Sequence, residues 1–182
     1  MQLGLTGKIA LITGGTSGIG LAIAHYRPDV TVTAVELFEA TARMAERNAR
    51  ALSLSERFSV VRGDVTKPLF SGEIFDAVVS NPPYIALNEM EGLAPELSHE
   101  PRAALTDGGD GLSVIRGVLQ TAHDSLRPGG ILLMECGAAQ GDAVTALARE
   151  LSFTEICILR DSGGRDRVLS ARKSHGISRK GL

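Results

Sequence analysis

Four consecutive residues, Asn81-Pro82-Pro83-Tyr84, are of the types needed to hold a planar NH2 group still. An amide or aromatic amino nitrogen is a poor nucleophile because its lone pair is delocalised, so it must be oriented and polarised toward its electrophile. The Asn81 side-chain oxygen and the Pro82 carbonyl can accept both N–H hydrogens and aim the nitrogen in line with a methyl group. The prolines restrict the backbone that carries those acceptors, and the Tyr84 ring can lie flat against the planar group. A positively charged sulfonium would supply the leaving group, so no strong base is needed before transfer. On composition alone the tetrapeptide is a proline-stiffened turn. Its place after a strand, in a sheet that also carries cofactor features, favours the chemical reading.

Those cofactor features lie upstream. Thr13-Gly14-Gly15-Thr16-Ser17-Gly18-Ile19-Gly20 joins a strand to a helix, where glycines let the backbone approach a ligand and free amides face it. Glu36 closes the next strand, at the spacing where an acid accepts from ribose hydroxyls in dinucleotide folds. Asp64, after a third strand, can accept from an adenine amino group while Val65 packs on the ring. Taken singly, these residues also read as a tight turn, a helix-facing carboxylate and a turn-capping Asp. Together they favour an adenosine-containing cofactor, S-adenosylmethionine if the tetrapeptide is the acceptor site.

The elements that must position these residues follow from apolar runs alternating with helix-period stretches, the pattern of a parallel sheet covered on both faces. Strands are predicted over Lys8 to Ile12, Thr31 to Glu36, Phe58 to Arg62, Ile74 to Ser80 and Ile131 to Cys136. Helices are predicted over Gly18 to Tyr26, Glu39 to Leu52, Leu112 to Leu126 and Asp142 to Leu151. Arg127-Pro128-Gly129-Gly130 reads as a turn, and Ile85 to Gly111 as a long loop with one short helix. Phe153 to Leu159 and Arg167 to Ala171 flank Asp161-Ser162-Gly163-Gly164, whose glycines suit a hairpin between antiparallel strands. The expectation is one α/β domain with seven strands, and an unstructured tail from Lys173 to Leu182.

Bulk properties narrow the classes of function. The formal net charge is −2 with no long basic run, which argues against affinity built on phosphate neutralisation, so nucleic acid is not the expected substrate. No apolar segment approaches a bilayer span, and the amino end lacks a secretory pattern, so a cytoplasmic protein is expected. Cys136 and Cys157 form no CxxC pair and are read as reduced core residues. His25, His99, His123 and His175 lack metal-ligand spacing and are read as surface or helix-end residues, so no metal is implied. Ser17 and Ser80 have no recognisable His and acid partners, which leaves hydrolase chemistry unsupported.

Two family resemblances meet in this chain. Gly7 to Ala24 resembles the opening of short-chain dehydrogenases/reductases, with their Thr-Gly-x-x-x-Gly-x-Gly turn for a nicotinamide cofactor. Those enzymes also need a Tyr-x-x-x-Lys pair to move a proton. The two tyrosines here, Tyr26 and Tyr84, have Val30 and Asn88 four places on. A broader resemblance runs from about Ala24 to Arg172, through Ala24-His25-Tyr26-Arg27-Pro28-Asp29-Val30, Asn81-Pro82-Pro83-Tyr84-Ile85 and Glu100-Pro101-Arg102-Ala103-Ala104-Leu105. It continues through Gly108-Gly109-Asp110-Gly111-Leu112 and Gly164-Arg165-Asp166-Arg167-Val168. On these segments the chain is similar to the catalytic domain of the peptide chain release factor N(5)-glutamine methyltransferases, the HemK family.

That resemblance implies a Rossmann-like class I S-adenosylmethionine-dependent methyltransferase fold, a seven-stranded, mostly parallel sheet ending in an antiparallel hairpin. It implies methylation of a glutamine side-chain amide in a release factor as protein substrate; a monomer is expected. Carried over, the cofactor set is Gly14, Gly15, Thr16, Ser17, Gly18, Glu36, Asp64, Val65 and Asn81, and the catalytic set is Asn81, Pro82, Pro83 and Tyr84. Glu100, Pro101 and Arg102 match a segment near the family's substrate and rank second. The family's first strand ends in an acid that helps hold the methionine part of the cofactor. Here Leu11 or Ile12 takes that place. The catalytic domain is placed at residues 1–172, without the family's amino-terminal helical domain. The alternatives are an NAD(P)-binding reductase-like protein or a catalytically weak cofactor-binding remnant.

Overall fold

The computed structural model describes residues 7–13, 18–72, 74–93, 97 and 99–175. Its central strands are short apolar or β-branched runs: β1 (Ile9–Thr13), β2 (Thr31–Glu36) and β4 (Phe75–Ser80). Nearly every residue of β1 is buried, as expected for a strand enclosed on both faces rather than one. The helices between them are α1 (Ile19–Tyr26), α2 (Glu39–Ala51), a four-residue α3 (Arg102–Leu105), α4 (Ser113–Ser125) and α5 (Gly141–Glu150). With β3 (Phe58–Arg62), β5 (Leu126–Glu135), β6 (Phe153–Arg160) and β7 (Asp166–Lys173) they form one seven-stranded sheet in the order β3-β2-β1-β4-β5-β7-β6. β1 to β5 pair in parallel, and β7 runs antiparallel between β5 and β6. This is the α/β architecture read from the sequence, terminal hairpin included.

The period of two in each strand divides the core between two layers. Leu11, Val78, Leu132 and Met134 meet Ile115, Leu119 and Val144 of α4 and α5 on one face. Ala10, Ile12, Val32 and Ala77 meet Leu21 and Ala24 of α1 and Ala45 and Ala49 of α2 on the other. The two positions at which the resemblance calls for an acid are thus fully enclosed, one in each layer.

Three local expectations need correction. Arg127 to Gly130 is not a turn between elements but part of β5: Phe75 pairs with Leu126 and Ala77 with Ile131, so residues 127–130 bulge from a continuous ladder. Gly129, at φ 76°, supplies the backbone conformation that such a bulge needs and a side chain would resist. Cys157 is exposed, whereas Cys136 is buried with its thiol pushed up by that burial. β6 is the edge strand, and Cys157 lines a groove of about 930 Å³ with Ala10, Val79, Leu133 and Leu159, bordered on its other side by Ile23 of α1. Lys173 belongs to β7 rather than to the tail. Its ladder partner is Phe153. Residues 176–182 of that tail lie outside the described residues. Among the described residues, no helix is long and apolar enough to cross a membrane.

Candidate active site

A parallel sheet gathers the residues after its strands along one edge, and here that edge carries the polar groups singled out above. β1 and β4 end side by side, Thr13 opposite Ser80. The buried Thr13 hydroxyl donates to Ser80 Oγ at 2.6 Å, which ties the two strand tips together immediately before Asn81. Asn81 then emerges exposed, Pro82 is buried, and Pro83 and Tyr84 are half-buried. An exposed amide next to an enclosed proline leaves the Asn81 side chain facing outward from a backbone that cannot readily turn.

Tyr84 is held at both ends. Its phenolic oxygen accepts from Arg167 Nη1 at 3.2 Å, and its carbonyl accepts from Gln140 Nε2 at 2.9 Å. Arg167 sits at the start of β7, at the same sheet edge, and its guanidinium also pairs with Asp161 at 3.5 Å. The Arg165 backbone N–H, more than any other group, holds the Asp161 carboxyl below the usual carboxylate range against the opposing effect of burial. The hairpin at the end of the chain therefore contributes to a site centred on the fourth strand.

The stretch after Tyr84 folds back beside it. Ile85 N–H donates to the Leu105 carbonyl at 3.0 Å and Leu87 N–H to the Gly109 carbonyl at 2.9 Å. Ile85 and Thr106 also form a parallel bridge. The loop is then closed by Asp107, whose Oδ1 accepts from the Gly109 and Gly111 amides at 2.8 and 3.0 Å and whose Oδ2 accepts from the Ser113 amide at 2.8 Å. Partial burial by itself raises this carboxyl, but the bonds from Ser113, Gly109 and Gly111 outweigh it and hold the group at about 2. Gly111 has φ 74°, and a Cβ there would meet the Tyr84 carbonyl oxygen at 2.3 Å, so only glycine fits. Glu100, Pro101 and Arg102 are exposed at the start of α3.

The other half of the edge carries the candidate cofactor groups. Glu36, at the tip of β2, is buried, and Leu37 beside it is 53% exposed. A carboxylate flanked by an open apolar side chain offers hydroxyl acceptors next to a surface for a planar ring. Asp64 Oδ1 accepts from the Thr66 hydroxyl at 2.7 Å and the Thr66 amide at 2.9 Å. Those two bonds, the hydroxyl first, keep the carboxyl below its ordinary value, so it stays an acceptor. Val65 packs its side chain on the α4 and α5 layer, and its carbonyl accepts from the Thr121 hydroxyl at 2.9 Å. Gly18 is the N-cap of α1, without a side-chain cap. Gly14, Gly15, Thr16 and Ser17 lie outside the described residues.

Sequence reasoning did not single out Asp107 or Gln140, and named Arg167 only within a segment of resemblance. Asp107 was within reach, since an Asp followed by Gly-Gly-Asp-Gly is suited to Asx-type turns. Gln140 carries no such signal, because the partners of its Nε2, Gly111 and Tyr84, lie 29 and 56 residues away.

The candidate cofactor groups and the candidate amide acceptors share one α/β edge, the arrangement expected of a two-substrate domain. The chain belongs to the methyltransferase small domain family, whose profile matches residues 1–126. It is 42% identical over 158 residues to the release factor glutamine methyltransferase of Moorella thermoacetica, covering 86% of this chain and 56% of the relative. It is also 42% identical over 159 residues to the protein of that name in Cereibacter sphaeroides, covering 87% and 56%. The chain thus spans a little over half the length of these curated relatives. A solved methyltransferase from Pyrococcus furiosus shares the fold, with a TM-score of 0.68 at 22% identity, covering 93% of this chain and 76% of that one.

Proposed function

We propose that the chain is the catalytic domain, residues 1–172, of a protein-(glutamine-N5) methyltransferase that modifies a glutamine side-chain amide in a peptide chain release factor. Support comes from relatives bearing the name release factor glutamine methyltransferase and from a site suited to an amide. The observation that carries the reading is an exposed Asn81 next to a buried Pro82 at the tip of β4, followed by a Tyr84 secured from two directions.

The described residues fit the cofactor. The buried Glu36 would hold ribose hydroxyls, the ionised Asp64 would accept from the adenine amino group, and Gly18 at the N-terminus of α1 would lie along the cofactor's edge. S-adenosylmethionine supplies, when bound, a methyl carbon whose bond to sulfur breaks as the amide nitrogen bonds to it. Asn81 Oδ1 and the Pro82 carbonyl accept the two N–H hydrogens, which fixes the nitrogen's direction and adds electron density to it. The surplus proton passes to water once the nitrogen is substituted, so these residues need only accept. Tyr84 packs against the flat amide and excludes water from one side. We read the acting unit as a cytoplasmic monomer.

Transfer of labelled methyl from S-adenosylmethionine to a purified release factor, mapped to a glutamine by mass spectrometry, tests the proposal. Absence of transfer at saturating cofactor rejects it. The nicotinamide reading rests on the glycine turn, and the strand order speaks against it. Dinucleotide folds run 3-2-1-4-5-6, whereas this sheet places an antiparallel β7 between β5 and β6. NADH titration followed by fluorescence should accordingly show no binding.

A further inference from the structure

Gln140 occupies the N-cap position of α5, where Ser, Thr, Asp or Asn would satisfy a helix amide and a longer side chain does so poorly. Its side chain makes no cap bond to its own helix. Instead the amide turns to the sheet edge: Oε1 accepts from the Gly137 N–H at 2.8 Å, and Nε2 donates to the Tyr84 carbonyl at 2.9 Å and reaches the Gly111 carbonyl at 3.5 Å. One side chain thereby joins the segments that follow β4 and β5 and the loop closed by Asp107. The job needs an acceptor and a donor on one planar group, which Gln supplies and ionised Glu does not. Arg167 completes the arrangement from the far side of the Tyr84 residue.

We propose that Gln140 is a positioning residue for methyl transfer: by gripping the Tyr84 carbonyl it fixes the backbone that presents the Asn81 and Pro82 acceptors, with Arg167 setting the tilt of the Tyr84 ring. The inference rests on the methyl-transfer reading above. It deepens that reading by assigning acceptor alignment to residues that touch neither substrate. Losing the grip lets the tetrapeptide drift, and misplacement on the order of an ångström lowers turnover about a hundredfold.

The test uses Gln140→Glu and Gln140→Ala, both assayed with release factor and S-adenosylmethionine. At about pH 8 the carboxylate introduced by Gln140→Glu faces two carbonyls and donates nothing. We expect kcat to fall about 10- to 100-fold, with the S-adenosylmethionine KM within about twofold of the parent chain. The Asp107 carboxylate on the Gly111 amide and Asp166 beside Gly141 raise the introduced carboxyl group's pKa, and Arg167 opposes them. As pH falls toward about 5.5 the protonated acid regains a donor, so activity relative to the parent should recover in Gln140→Glu and not in Gln140→Ala. Equal, pH-independent losses in both variants, or no loss, overturn the proposal. Amide hydrogen exchange over residues 81–87 without substrate gives a second readout: faster exchange in Gln140→Ala is expected, and unchanged exchange overturns the grip even if the parent chain methylates nothing. A parent chain that transfers no methyl group, with exchange still accelerated in Gln140→Ala, would sink the release-factor reading and leave the grip standing.

Discussion

The two halves of the carboxyl edge are built on different principles. Around β4 and β5 the acceptor half is cross-linked by side chains from distant parts of the chain, Gln140 and Arg167 on Tyr84, while Asp107 closes its own loop on the Gly109, Gly111 and Ser113 amides. Around β2 and β3 the Asp64 carboxylate is served by Thr66 two residues on, and the distant Thr121 side chain reaches the Val65 carbonyl rather than a carboxylate. The difference suits the proposed task. A cofactor with many polar atoms can be held by several independent contacts, each tolerant of small errors. On the proposed reading, an amide nitrogen that must meet a methyl carbon in line tolerates little, and acceptors braced from outside suit that demand.

The comparison can be broken or sharpened by substitution. The largest effect is expected at Leu11. Introducing the acid that the family resemblance calls for, Leu11→Asp, places a carboxylate in a fully enclosed layer. It should destabilise the domain by about 3–5 kcal/mol rather than improve cofactor affinity. Denaturant unfolding measures the first outcome, and a stable variant with tighter S-adenosylmethionine binding would show that β1 can shift its register.

Next is Asn81→Ala, which removes the amide acceptor from an exposed side chain. Turnover should drop at least about a hundredfold while the melting temperature stays within a few degrees. Wild-type turnover in that variant would remove Asn81 from the mechanism. Glu36→Gln should weaken S-adenosylmethionine about 10- to 100-fold, the range for losing a hydrogen bond to a charged group, with kcat at saturation largely retained. Calorimetric titration together with saturation kinetics separates the two effects, and an unaltered affinity would move the ribose elsewhere.

The smallest effect belongs to Asp107. Its folded-state value of about 2 lies below the ordinary 3.8, so it contributes stability that is present above about pH 4 and is lost as pH falls toward 2. Asp107→Asn should lower stability at about pH 7 by about 1–2 kcal/mol and flatten the acid limb between about pH 4 and 2. Acid titrations of both proteins followed by circular dichroism would show identical limbs if Asp107 were an ordinary surface carboxylate.

Much of this molecule was legible from local chemistry. Apart from the start of β5, strand and helix periods placed every long element within a few residues, because burial on two faces leaves continuous apolar runs and burial on one leaves a helical stripe. The Arg127 to Gly130 segment defeats that reading for a local reason as well. Pro-Gly-Gly ordinarily ends an element, and only the ladder with β4 keeps it inside one as a bulge. Cys157 defeats it because an apolar neighbourhood in sequence says nothing of whether a strand lies at the centre or the edge of its sheet.

By itself the amino-acid sequence determined the order of the elements, and it supplied the tetrapeptide proposed to hold an amide and the acids proposed to meet an adenosine. Which residues brace that tetrapeptide was decided by tertiary structure. Gln140 and Arg167 lie 56 and 83 positions from Tyr84, and they reach it because β4, β5 and the antiparallel β7 bring their ends to one edge. A side chain's neighbours along the chain set its propensity, but its hydrogen-bond partners across a sheet exist only once the strands have paired.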